Sequence, residues 1–260
     1  MGRMAYTCRR FAPQLMLGVS AHIEGCPVKR IFIPTSKGSD WQRLLAKPKL
    51  HWKKGASAMT TAAAWEDARD ALPVEITTVL DSSRDEDLLG LTLLAAIPEW
   101  EVHLEGGDTA SHTDVLALCR NDRGLCIIAV ESKVDEDFGP LLKDKRAEAS
   151  SGQGMRLNFL HSLLGVSRLD DLIRYQLVHR TASALLTARE FHAQVAVMLV
   201  HSFGTKASLR SDFDAFCGVL GAQELSLGVH IAPSFRNPRL FLVWCSGNRQ
   251  FLDVELPSAL

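Results

Sequence analysis

The sequence predicts an α/β fold, a mixed central sheet flanked by helices, and three observations carry that prediction. Segments between residues 99 and 134 show the two-residue alternation of strands. Alanine- and leucine-rich segments on either side have helical character, and the order reads helix, three-strand meander, helices, strand, helix, strand. With 260 residues and 47% hydrophobic content, the chain can bury one substantial core, read as a domain over residues 57–260 behind an N-terminal extension of residues 1–56.

Residues 1–25 have no clear period. Arg9 and Arg10 before LMLGVSA faintly resemble a signal peptide, but the apolar run is short and is broken by Pro13, Gln14 and His22. No segment reaches the ~18 continuous apolar residues that span a bilayer, so the expected location is cytoplasmic, without a membrane partner. Residues 29–54 are basic: Lys29, Arg30, Lys37, Arg43, Lys47, Lys49, Lys53 and Lys54 stand against Asp40 alone. A solvated stretch and a phosphate-contacting arm both explain them. Because the formal charge is only -1, any nucleic-acid surface must be local.

Residues 57–72, SAMTTAAAWEDARDAL, predict a helix with Ser57 as N-cap, closed by Pro73. A second helix is expected from Asp85, Glu86 and Asp87 through LLGLTLLAAI to Pro98, with the acids at its positive end. Strands follow over 99–105, 113–119 and 125–134, and the polar RNDRG makes the last two a hairpin. Helices over 154–165 and 169–191, a buried strand over 194–203, a short helix over 211–221 and a strand over 238–246 complete the chain. Cys8, Cys26, Cys119, Cys126, Cys217 and Cys245 show no CxxC pairing and read as buried free thiols.

The hairpin carries the chemistry. With Cys119 opposite Cys126, each step away from the turn opposes the next pair, and Asp114 comes to face Glu131. Lys133, two residues on, shares their face. Both faces of the hairpin are otherwise apolar, which suits a sheet covered on both sides and sets the polar trio apart. Two facing carboxylates repel unless a cation intervenes. Mg²⁺ needs only one or two carboxylates besides waters and substrate phosphate, and Asp114 and Glu131 supply them. Lys133 would orient the attacking water or stabilise developing charge. A register shifted by one residue would send Glu131 to the other face.

The residues TD(114) and IIAVESK(131–133), within that element order, resemble the PD-(D/E)XK, restriction-endonuclease-like superfamily over roughly residues 57–203. Thr113 stands where that superfamily has proline. The segments GGDTASHTD and VESKVDEDFG are also similar to a bacterial subgroup whose function is not described. The resemblance implies a restriction-endonuclease-like core and a Mg²⁺-dependent nuclease, with Mn²⁺ able to substitute. In it Asp114 and Glu131 bind metal, the Ser132 carbonyl adds a ligand, and Lys133 assists catalysis.

Members of that superfamily often carry a further acid on the helix before the meander, and Glu66 is preferred over Glu86, which the helix dipole explains. Tyr175 and His179 share one helical face, Gln176 and Arg180 another. In the resembling nucleases a helix after the E-x-K strand often lends polar residues to the site, and that resemblance makes Tyr175, Gln176 and Arg180 substrate-binding candidates; a face bonded to neighbouring helices explains the same pattern. Gln153 and Arg156 fit a phosphate contact, though a loop-to-helix start explains them more cheaply; Asp135, Glu136 and Asp137 fit a solvated turn better than metal ligands, and His112 a turn histidine better than a proton shuttle. Zinc spacing, GxxxxGK[ST] and GxGxxG are all missing from the sequence. The expected function is hydrolysis of nucleic acid, DNA rather than RNA, as an endonuclease serving restriction or defence. The alternative is an inactive nuclease-like domain that binds nucleic acid or joins an assembly. Oligomeric state, a dimer included, stays open.

Overall fold

The computed structural model describes residues 37–107, 109–166 and 169–260. Residues 1–25, Cys8, Cys26, Lys29 and Arg30 lie outside the described residues. Among those described, seven strands form one mixed sheet in the order β1-β2-β3-β4-β7-β6-β5. Strands β1 (Thr92–Val102), β2 (Ser111–Asn121) and β3 (Gly124–Lys133) make the antiparallel meander. Strand β4 (Val195–Ser202) lies parallel to β3, and β7 (Arg239–Ser246) parallel to β4. Strands β6 (Val229–Arg236) and β5 (Gln223–Ser226) close the far side antiparallel.

The parallel centre explains the unbroken apolar runs. Every residue of VAVMLVHS in β4 is buried, because helices cover both faces there. On one face Ile127, Ala129, Met198 and Leu242 pack against α5 (Ser151–Leu164), α6 (Tyr175–Glu190) and α7 (Ala207–Val219). On the other, Ile128, Val130, Leu199 and Val243 pack against α2 (Ser57–Ala68) and α3 (Val74–Ser82). Cys119, Cys126, Cys217 and Cys245 are buried free thiols, as expected.

Residues 38–51, assigned to the extension by sequence, pack onto the same core. The 3-10 segment Gly38–Leu44 and the short α1 (Pro48–His51) carry Trp41 and Trp52 into the α2 face. The strap is tied to the last residues of the chain: the Arg43 guanidinium donates to the Ala259 carbonyl, the Ala259 amide donates to Gln42 Oε1 at 2.7 Å, and Trp52 Nε1 donates to the Pro257 carbonyl.

One expectation fails outright. Residues 85–98 are not a helix: 86–90 are turns, and TLLAAI belongs to β1. Leu93 and Ala96 face the α2 side while Ile97 packs on the α6 side, so the run is apolar because a covered strand needs both faces apolar. Pro98 is tolerated since β1 is an edge strand. Asp85 and Asp87 are not dipole acids; both accept from the Arg239 guanidinium. The helix in this region is α3, which starts directly after Pro73.

Smaller differences follow from backbone geometry. Helix α2 ends at Ala68, where Arg69 takes φ 56°, and its N-cap is Ala56 rather than Ser57. Helix α6 begins at Tyr175 because Leu141 and Arg174 form a bridge just before it. Strands β5 and β6, α3 and the short α4 (Leu142–Ala147) had no clear periodic signal. Among the described residues no helix is long and apolar enough to cross a membrane.

Candidate active site

The β2–β3 ladder runs from Asn121↔Gly124 through Cys119↔Cys126 to Val115↔Val130, so the next opposed pair is Asp114 and Glu131. That register is the one the sequence predicts. The strands remain in contact at this point, since the Ser132 amide donates to Asp114 Oδ2 at 2.7 Å. On the other side of β2, the pairs Pro98↔Val115 and Trp100↔Thr113 bracket Glu99 and set it opposite Asp114. Three carboxylates thus stand in one rank across three strands. Glu99 escaped the sequence reading because the preceding residues were assigned to a helix. Its signal was present: pairing EWEV against the Thr113–Asp114 strand brings Glu99 to Asp114.

Helix α6 crosses over this end of the sheet and aims two residues one turn apart at Glu131. Gln176 Nε2 donates to Glu131 Oε1 at 2.7 Å, and Arg180 Nε donates to Glu131 Oε2 at 2.5 Å. Lys133 Nζ donates to Oε1 at 2.6 Å and sits 5.3 Å from the centre of the Phe138 ring. Glu131, Lys133 and Arg180 are 2%, 5% and 8% exposed, so this is a buried charge network rather than a surface ion pair. Arg180 is fixed in turn by Ser111, whose hydroxyl accepts from Nη1 at 2.8 Å.

The electrostatics divide the acids. Burial would raise the Glu131 pKa, but the charges and hydrogen bonds of Arg180 and Lys133 outweigh it and pull the carboxyl down to about 2. Burial, followed by the charge of Glu131, pushes Asp114 up to about 7. Burial, followed by the charge of Asp114, pushes Glu99 up to about 8. Lys133 is held protonated above its ordinary value: burial works against its charge, and Glu131 and Asp114 outweigh that.

These groups share a cavity of about 490 Å³. Glu99, Asp114, Glu131 and Lys133 form its floor, Gln176 and Arg180 one wall. Ser57 and Thr61 of α2, with Trp41, Leu45 and Leu50 of the strap, form the opposite wall. The hydroxyls of Thr61 and Ser132 are buried there without hydrogen-bond partners among the described residues.

Glu66 does not line this cavity. Its Oε1 accepts from Trp41 Nε1 at 2.8 Å, and α2 turns Thr61 toward the carboxylates instead. The third carboxylate that lines the cavity beside Asp114 and Glu131 is Glu99, on the edge strand rather than the helix. Tyr175 also lies elsewhere: it faces a neighbouring cavity, tilted against His179 at 4.8 Å with Lys145 Nζ 5.5 Å from its ring centre. The helical phase explains the split, since Tyr175 and His179 lie about 100° away from Gln176 and Arg180. Gln153 and Ser150 form a capping box at the start of α5. Arg156 donates to the carbonyls of Leu104, Gly107 and Thr109. Asp135 and Asp137 hold the start of α7 through Thr205 and Lys206, while Glu136 reaches the cavity rim. His112 is a strand residue 3.7 Å from Glu101, not a turn residue.

Whether a divalent ion fits depends on the donors left over. An ionised carboxylate offers about four lone-pair sites; Glu131 uses three, leaving one on Oε2. Asp114 accepts the Ser132 amide through Oδ2 alone, and Glu99 and Asp114 carry raised pKa values that a nearby cation would relieve. As the side chains stand, no group of three or more His, Cys, Asp or Glu among the described residues converges into a closed metal cluster. Mg²⁺ does not require one, because it keeps most of its waters. Carboxylate oxygens are therefore left over on Asp114 and Glu99, and one lone-pair site on Glu131.

No curated protein and no solved structure is similar enough to this chain to count as a match. One family model does match, described as a domain of unknown function, DUF6946, and it covers residues 34–249. It takes in the strap, the carboxylate rank and all seven strands, and the chain belongs to that family.

Proposed function

We propose that this protein is a metal-dependent nuclease that hydrolyses phosphodiester bonds at the Asp114 end of the β2–β3 hairpin. The observation that carries the reading is the rank Glu99, Asp114 and Glu131 beside Lys133, facing one cavity. The order α2, α3, meander, α6 crossover and parallel β4 is what the resemblance to the restriction-endonuclease-like core rests on. Asp114 and Glu99, with the remaining site of Glu131, would hold Mg²⁺ or Mn²⁺. When bound, the ion would supply polarisation of the phosphate and a lowered water pKa.

The protein's own groups account for the rest. Lys133 keeps its proton and stays beside Glu131, so its ammonium can stabilise charge that develops on a phosphate oxygen in the cavity. Arg180, locked by Ser111 and Glu131, offers its guanidinium from the helix wall. Gln176 holds Glu131 in place, and the apolar strap excludes water from the opposite side. DNA is the favoured substrate over RNA, and a role in restriction or defence rests on fold-level analogy alone.

A second reading has one observation in its favour. Glu131 is saturated by cationic and amide donors on three of four sites, as an idle binding or assembly domain with a structural ion network would have it. Incubating the protein with supercoiled DNA, single-stranded DNA and RNA, in Mg²⁺, Mn²⁺ or chelator, separates the two. Cleavage that needs the metal supports the nuclease; metal-independent binding with no cleavage on any substrate supports the idle domain.

A further inference from the structure

The second cavity, about 360 Å³, adjoins the first and has the opposite chemistry. Among the described residues that line it there is no Asp or Glu, in a chain with 30 acids against 29 bases. Its polar lining comes from Lys145 of α4, Ser150 at the N-cap of α5, Gln153 and Arg156 in the first turns of α5, and Tyr175 and His179 of α6. Arg156 is anchored by three carbonyls, Thr109 at 2.7 Å, Gly107 at 3.1 Å and Leu104 at 3.2 Å, which orient its guanidinium without neutralising its charge. Its Nε is buried and has no hydrogen-bond partner among the described residues. Lys145 lies over the Tyr175 ring rather than beside a carboxylate. The amino end of a fourteen-residue helix adds partial positive charge on the same side.

Two side-chain cations, a helix amino end and hydroxyl and imidazole groups, with no acid among the described lining residues, match a tetrahedral oxyanion. We propose that this cavity binds a phosphate group, as a site separate from the acidic cavity and independent of metal there. The two sites share a wall. Consecutive residues of α6 face one each, His179 the basic cavity and Arg180 the acidic one. Ser111 joins them, bonding His179 Nδ1 and Arg180 Nη1, both at 2.8 Å. If the acidic cavity takes a nucleic-acid strand, as the nuclease reading has it, the occupant here is a neighbouring or terminal phosphate of that strand. Free inorganic phosphate offers the same chemistry.

Calorimetric titration in chelator, with no divalent metal, tests the site. Inorganic phosphate should bind saturably, and Lys145→Ala should weaken it about tenfold. Lys143→Ala, which removes an equal charge from an exposed position on the same helix outside the cavity, should leave it unchanged. Arg156→Gln should abolish binding; if that variant fails to fold, the Lys145 and Lys143 pair still decides the question. Competition by a dithymidine 5′-phosphate but not by its 5′-hydroxyl form identifies a terminal phosphate as the occupant. Competition by both identifies an internal strand phosphate, and by neither, free phosphate. Non-saturable binding up to millimolar phosphate, or equal losses in both lysine variants, would overturn the proposal. Metal-dependent cleavage is not a readout here, so the site stands or falls apart from the nuclease reading.

Discussion

Glu131 is buried with two cations on its oxygens, and Arg180 is buried with it, so neither partner can be removed alone without stranding a charge. Arg180→Met should cost about 3–5 kcal/mol in urea unfolding. Equal stability of wild type and Arg180→Met would show that the pair is not buried in solution. The acids also set a pH dependence. Glu131, depressed to about 2, contributes stability that is complete above its ordinary 4.5 and is lost as pH falls from there through about 2. Asp114 and Glu99 act the other way. Between their ordinary values of 3.8 and 4.5 and their folded values of about 7 and about 8, the folded state holds protons that the unfolded chain has released, so stability falls as pH rises. The metal-free protein should be most stable near pH 4, and Glu99→Gln should recover on the order of 1–2 kcal/mol at pH 8. A melting temperature flat from pH 5 to pH 8 in the wild type would contradict the carboxylate rank. Asp114, Glu131 and Lys133 were legible because spacing and hairpin register fix which residues share a face. Glu99 and the misplaced Glu66 were not, because each depends on which element precedes the meander and on how that element rotates.

The meander and the crossover fix the site at the level of elements. Strands β3 and β4 end together, with the Phe203 amide donating to the Lys133 carbonyl at 2.7 Å. Immediately after comes Gly204, where an added Cβ would stand 1.7 Å from the Val134 carbonyl oxygen. Gly204→Ala must push the two strand ends apart just where Lys133 is held, and should cost roughly 3 kcal/mol. A melting temperature within a degree of wild type would show that the strands can part there freely. The buried parallel strands were readable as apolar runs, and the hairpin as alternation around RNDRG. The run before Pro98 was not, since a strand covered on both faces has no period to distinguish it from a buried helix. The turn acids Asp85 and Asp87 then looked like a helix start, while their partner Arg239 lies more than 150 residues away in sequence.

The whole molecule closes around its site through the strap, whose wall over the acidic cavity depends on residues from the opposite end of the chain. Gln42, Arg43 and Trp52 all bond residues 257–259. Removing residues 257–260 should therefore lower the melting temperature by several degrees and expose the strap to trypsin at Arg43 and Lys49. Unchanged digestion would mean the strap is held by its tryptophans alone. No local pattern could have revealed this closure, because its bonds join positions over 200 apart. The central claim, that the carboxylate rank is a metal-dependent phosphodiesterase centre, is tested most directly by one comparison. Rates of DNA cleavage in Mg²⁺ or Mn²⁺ should be measured for the wild type and for Asp114→Asn, with binding to the same DNA measured in chelator. The account predicts metal-dependent cleavage that falls by a factor on the order of 10³ in the variant while binding is kept. Cleavage equal in both proteins, or none in the wild type with either metal, would contradict it.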